Sequence, residues 1–240
     1  MAIYAMSDLH LALSADKPME VFGDGWQDYM DRIFANWNSV VGVDDTVLVG
    51  GDVSWATYID KAKEDFDFLH RLNGKKIISK GNHDYWWESL TKLQNFVSEN
   101  GFTSVAFMHN NGFVAENIGI CGTRGWTLPD SDSFSSDDVK MYERELIRFA
   151  LSAEDMAKKI KSSSNVSKRV AVLHYPPIYR DGTVDDGFNK VVKEYKIDLC
   201  LYGHLHSYAH KNAFCGVADG TEYRLVSADY MKFCPYKLNF

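Results

Sequence analysis

Short apolar runs of strand length alternate along the chain with stretches whose apolar residues recur at helical spacing. The strand-like runs are Ile3–Met6, Thr46–Val49, Lys76–Ser79, Ser104–Met108, Ile118–Gly122, Arg169–Leu173, Asp198–Tyr202 and Tyr223–Ser227. They are rich in Val, Ile and Leu with little polar alternation, as expected for strands covered on both faces. Three stripes follow i, i+3, i+4 spacing: Trp26, Met30, Ile33, Phe34 and Trp37; Ile59, Ala62, Phe66 and Leu69; and Tyr142, Leu146, Phe149, Ala153, Met156 and Ile160. Each reads as the core face of a helix. Alternating strands and helices predict an α/β layered fold. The consecutive strands between Ser104 and Gly122 predict that its sheets are mixed. The polar segment Asp130–Asp138 lacks the mid-loop Gly and terminal Glu of an EF-hand, so it reads as a loop whose last Ser and Asp cap the next helix. Ser162–Asn165 reads as another surface turn.

Length and composition narrow the picture. The 240 residues, 45% hydrophobic and 25% charged, suit a globular chain with one sizeable core, and a single domain over 1–240 is expected. The net charge of −7 argues against stable nucleic-acid binding and against an acidic membrane surface. It leaves room for a phosphate-bearing substrate, because bound metals reverse the local field. Four separated cysteines form no C-x-x-C pair and read as buried residues of a reducing compartment. With no apolar run of membrane-span length and no basic-then-apolar opening, the expected location is the cytoplasm.

Five strand-like runs lead into metal-capable groups: Asp8-Leu9-His10; Gly50-Gly51-Asp52; Gly81-Asn82-His83-Asp84; His174; and Gly203-His204-Leu205-His206. In open α/β sheets, sites lie just beyond the carboxyl ends of strands. Each piece alone is common; the ordered set is not. Imidazole, carboxylate and amide oxygen, with no thiolate, suit Mn, Fe or Zn.

The ordered set D-x-H, G-D, G-N-H-D, H, G-H-x-H, from Asp8 to His206, resembles the calcineurin-like metallophosphoesterase superfamily. The resemblance implies a four-layer α-β-β-α sandwich of two mixed sheets flanked by helices, with a dinuclear site at the C-terminal ends of the strands. It implies that Asp8, His10 and His206 hold one metal, that Asn82, His174 and His204 hold the other, and that Asp52 bridges two divalent or mixed-valence ions (Mn, Fe or Zn). The second motif departs from the pattern, reading Gly51-Asp52-Val53-Ser54-Trp55. The function implied is hydrolysis of a phosphomonoester or phosphodiester by direct attack of a metal-bridging hydroxide, with no covalent phosphoenzyme. His83 is the expected general acid or phosphoryl-binding residue, with Asp84 fixing its tautomer and raising its pKa.

Substrate contacts are expected from Trp86, beside Tyr85 and Trp87, by stacking, with core packing as the alternative. Arg124 would clamp a phosphate or form a surface salt bridge. Tyr175, before Pro176-Pro177, would line the cleft. A chain with small insertions favours a small phosphoester or nucleotide-type substrate over a protein. A serine/threonine protein phosphatase and a non-catalytic metal-binding scaffold are the alternatives.

Overall fold

The computed structural model describes residues 1–163 and 165–240, without the side chains of Phe22 and Asp24. Ser164, part of the turn expected at Ser162–Asn165, lies outside the described residues. The strands are β1 (Ile3–Met6), β2 (Thr46–Val49), β3 (Lys75–Ile78), β4 (Val105–Phe107), β5 (Phe113–Ala115), β6 (Ile118–Thr123), β7 (Lys168–Leu173), β8 (Leu199–Tyr202), β9 (Gly216–Ala218), β10 (Thr221–Leu225) and β11 (Tyr236–Lys237). The helices are α1 (Tyr29–Val40), α2 (Lys63–Arg71), α3 (Leu90–Glu99), α4 (Ser136–Lys161) and α5 (Asp186–Glu194).

Two sheets form. One has the order β11-β1-β2-β3-β4, the other β5-β6-β7-β8-β10-β9. Strands β1 to β4 run parallel and β11 antiparallel; β6, β7, β8 and β10 run parallel, with β5 and β9 antiparallel at the edges. Both sheets are therefore mixed.

The two-residue period of a strand explains the layering. In β1, Tyr4 and Met6 join the core shared with α1, α2 and α3, while Ile3 and Ala5 join a different core. In β7 and β8, Ala171, Leu173, Cys200 and Tyr202 pack in the core that takes up Phe149 of α4 and Phe188 of α5. Val170, Val172, Leu199 and Leu201 meet Ile3, Ala5 and Leu48 in the middle core. Three apolar layers separate helices, sheet, sheet and helices, which is the expected α-β-β-α sandwich. Among the described residues no helix is long and apolar enough to cross a membrane. All four cysteines are free.

The sequence pattern misplaces some elements. The Trp26 stripe is not one helix: Asp24–Trp26 is a short 3-10 turn, and α1 starts at Tyr29 because Asp28 is left-handed at φ 50°. Ile59–Ala62 is likewise a 3-10 turn leading into α2. Helices α3 and α5 escaped notice because each buries few apolar residues, Leu93 and Phe96 in one and Phe188, Val191 and Val192 in the other. The Asp130–Asp138 loop does cap α4: Ser135 and Asp138 form a capping box.

Candidate metal centre

Strands β1, β2 and β3 of one sheet and β7 and β8 of the other end side by side. After β1 and β2 the chains zip together: the Asp8, His10 and Leu11 amides donate to the carbonyls of Gly51 (2.9 Å), Asp52 (2.9 Å) and Val53 (2.9 Å). Beyond β7 and β8 the Gly203 amide donates to the His174 carbonyl at 3.0 Å, and across the sheets the Ser7 amide donates to the Val226 carbonyl at 2.9 Å. Asp8, His10, Asp52 and His204 all have positive φ, between 47° and 72°. Such non-glycine conformations are uncommon and persist where the surroundings enforce them. Two glycines are required by contact: a Cβ on Gly81 would lie 2.0 Å from the Asp52 carboxylate, and one on Gly203 would lie 2.4 Å from that of Asp8.

The expected ligands converge. Asp8, His10 and His206 form one group able to hold a metal ion, and Asp8, Asp52 and His174 a second. His206 Nε2 lies 3.3 Å from Asp8 Oδ1 and 3.2 Å from His10 Nε2. Asn82 Oδ1 is 2.7 Å from His174 Nε2 and 2.9 Å from His204 Nδ1. Asp52 Oδ2 stands between the groups, 3.4 Å from His174 Nε2 and 3.9 Å from His10 Nε2.

The protonation states fit cation binding. Burial holds His10 at about 3 and His204 at about 4, and holds His174 well below its ordinary value, so these imidazoles are neutral donors. Burial opposes the charged form of His206 too, but Asp8 and Asp229 offset it and push the group up to about 10, so a bound ion would displace its proton. Burial and the neighbouring Asp84 and Asp8 charges raise Asp52 well above the carboxylate range. A buried acid crowded by other acids is the environment a divalent cation relieves. The residues present therefore fit a pair of such ions.

Two partners fix ligand tautomers. The Nδ1 of His174 meets the Gly50 carbonyl at 3.1 Å, and that of His206 meets Asp229 Oδ1 at 3.0 Å. Each leaves Nε2 facing the centre. Asp229 was missed in the sequence; it follows β10 with no motif around it. His210 is partly buried with Nε2 3.2 Å from Asp229 Oδ2.

Three expectations need correction. Asp84 makes no contact that could set the His83 tautomer. Its carboxylate instead accepts the amides of Asp52 (2.9 Å), Val53 (2.8 Å) and Gly81 (2.7 Å) and the Trp86 indole N–H (3.0 Å). Asp84 staples the second and third motif loops together, while His83 Nδ1 is buried without a partner. Burial lowers the His83 pKa rather than Asp84 raising it. Trp86 is not available to substrate: it is 1% exposed and packs edge-on against Phe66. Its neighbour Tyr85 is the exposed ring, at 62%. Arg124 makes no surface salt bridge; it is inside, ion-paired to Glu145 at 3.2 Å. The Tyr175 ring lies 4.0 Å from that of His204.

Aromatic rings wall the other side. Trp55 stacks on His10 at 5.0 Å and 20°, and lies 4.5 Å from the His83 ring. Trp55, Trp26, Met19, His83 and Tyr208 line an open cavity of about 290 Å³ beside His10 and His206.

Three solved structures share this fold. A protein of unknown function from Aquifex aeolicus, AQ665, is 14% identical with a TM-score of 0.51, over 98% of this chain and 95% of that one. The phosphopantetheinyl hydrolase PptH from Mycobacterium tuberculosis is 17% identical with a TM-score of 0.52, over 99% and 95%. TT1561 from Thermus thermophilus is 12% identical with a TM-score of 0.55, over 99% and 97%. No curated protein matches the chain. The sequence profile of one family matches residues 1–208, the stretch that carries every expected ligand. The chain belongs to the calcineurin-like phosphoesterase family, whose members are metal-dependent phosphoester hydrolases.

Proposed function

We propose that the protein hydrolyses a small phosphomonoester or phosphodiester at a centre of two divalent ions. The observation that carries this reading is the convergence of seven ligand-capable side chains from five strand ends on one point, with Asp52 between the two groups. Asp8, His10 and His206 would hold one ion, Asn82, His174 and His204 the other, and Asp52 both. When bound, the ions supply Lewis acidity and an activated water, so no protein nucleophile is needed. The chain's own part is to hold these ligands in place, wall one side of the site with Trp55 and Trp26, and present His83 to the phosphoryl group or the leaving oxygen. The Mn, Fe or Zn preference follows from the donor set.

The aromatic cavity next to His83 favours an aromatic or nucleotide-type leaving group over a phosphoprotein. A phosphopantetheinyl hydrolase shares the fold, which agrees with a phosphoester hydrolase in general. Residues 1–240 are read as one cytoplasmic domain. Beyond the family match, strands β10 and β9 complete one sheet and β11 the other.

The test is hydrolysis of nitrophenyl phosphate and bis-nitrophenyl phosphate by metal-stripped protein reloaded in turn with Mn, Fe, Zn, Ni or Mg. The Asp52→Asn variant serves as control. Metal-restored turnover absent from the control supports the proposal. Turnover by the stripped protein, or by the reloaded control, equal to that of the reloaded protein contradicts it.

A further inference from the structure

A second cavity, of about 190 Å³, opens at the C-terminal ends of β3, β4 and β6 and is lined by none of the expected metal ligands. Lys80, Arg124 and Arg148 enter it, together with His109, Glu88 and Glu145. The acids are already engaged. Glu88 pairs with Lys92 at 3.1 Å. Glu145, fully buried, accepts Thr123 Oγ1 at 2.5 Å on one oxygen and Arg124 at 3.2 Å and Arg148 at 2.8 Å on the other.

That leaves the cations in excess. The Arg124 side chain is only 10% exposed, stacks over Trp126 at 4.3 Å, and its buried Nε has no partner. Among the described residues Lys80 forms no ion pair. Trp87 donates to His109 Nδ1 at 3.3 Å, which leaves Nε2 as a further N–H donor. Three cations facing one inner carboxylate, with an unused guanidinium N–H, form a site for a compact anion with several oxygens, which is a phosphate group.

The pocket adjoins the metal centre. Lys80 precedes Asn82 by two residues, about 7 Å of chain at most. The Arg124 carbonyl accepts the amides of His174 at 3.0 Å and Tyr175 at 2.8 Å. We propose that the Lys80–Arg124–Arg148 pocket binds a second phosphate group of the substrate while the first sits at the metal centre. The preferred substrate then carries two phosphates. This inference rests on the hydrolase reading above.

Two arms test it. In crystals of the metal-loaded protein soaked in tungstate, a phosphate stand-in, density is expected between Lys80, Arg124 and Arg148, apart from any at the metals. A pocket without tungstate overturns the proposal. In the kinetic arm, the ratio of kcat/KM for a nucleoside 3′,5′-bisphosphate over nitrophenyl phosphate is compared between wild type and Arg148→Met. Arg148 stands on α4, away from the ligands and partly exposed, so the variant should fold. The ratio is expected to fall at least tenfold, and Arg148→Lys, which keeps the charge, to restore most of it. An unchanged ratio overturns the proposal. If wild type turns over neither ester, the hydrolase reading fails, and the tungstate arm still decides whether the pocket takes an anion.

Discussion

The Trp55 indole lies nearly parallel to the His10 imidazole, 20° between planes and 5.0 Å between centroids, and it also lies 4.5 Å from the His83 ring. One side chain thus props an expected ligand and forms the wall beside the expected acid. Where the second motif departs from its family pattern, this chain therefore places a stacking surface. Trp55→Ala removes contacts worth about 1 kcal/mol each. The expected outcome is a fall of roughly tenfold in kcat/KM for aryl phosphate esters and a smaller fall for alkyl esters. Trp55→Phe should recover most of the aryl activity. Equal losses on both ester classes would show that the wall positions His10 without contacting the leaving group.

Asp229 fixes His206 from behind, 3.0 Å from its Nδ1. Loss of such a supporting carboxylate typically costs 10–100-fold in metal affinity. Asp229→Asn is expected to weaken metal retention by about that factor in chelator competition, with little change in fold. Unchanged retention would remove Asp229 from the centre.

Asp84 and His83 are adjacent but serve different ends. Asp84→Asn replaces an acceptor of several amides by a group that presents N–H to some of them, and should cost about 2–4 kcal/mol in denaturant unfolding. His83→Ala should leave stability within about 0.5 kcal/mol and metal content intact while lowering kcat by roughly 10²-fold or more. Full activity in His83→Ala would sink its role.

Lys76 gives the fold an alkaline signature. It is fully buried, its ammonium donating to the carbonyls of Leu72 and Gly74 just beyond the end of α2, and burial pulls it down to about 8. Its folded pKa lies below the unfolded value of 10.5, so the unfolded chain binds more protons between the two. Stability must therefore rise as pH increases from 8 toward 10.5, by an amount on the order of 2–3 kcal/mol for this group alone. Buried Cys121 and Cys200, raised above 9.0 by burial, act oppositely and withdraw stability above about pH 9, and buried Tyr29, Tyr202 and Tyr223, raised above 10.0, do so above about pH 10. Urea unfolding should show a rise from pH 8 to a maximum near pH 9, and Lys76→Met should remove that rise. A flat profile in wild type would contradict the assignment.

The strand ends and their ligands were legible because each ligand stands within a few residues of an apolar run, so one short segment holds both signals. What escaped depended on partners distant in sequence. Asp84 is used up by backbone amides, which leave no trace in residue identity. Arg124 finds Glu145 on a helix 21 residues on. Asp229 reaches His206 only because β10 pairs with β8. Trp26 looked like a core residue and is one, yet its edge, 5.7 Å from His206, also closes the site. Strands β5, β9 and β11, of two or three residues, are too short to show a period.

The central claim is that Asp52 joins two ions into one hydrolytic centre. Metal bound per chain, by elemental analysis, should be titrated beside nitrophenyl ester hydrolysis on the same samples. Wild type is expected to take up two ions per chain, with turnover appearing as the second is bound, and Asp52→Asn to lose both the second ion and the turnover. Full turnover with one ion or none, or an Asp52→Asn variant that keeps two ions and full activity, would contradict the account.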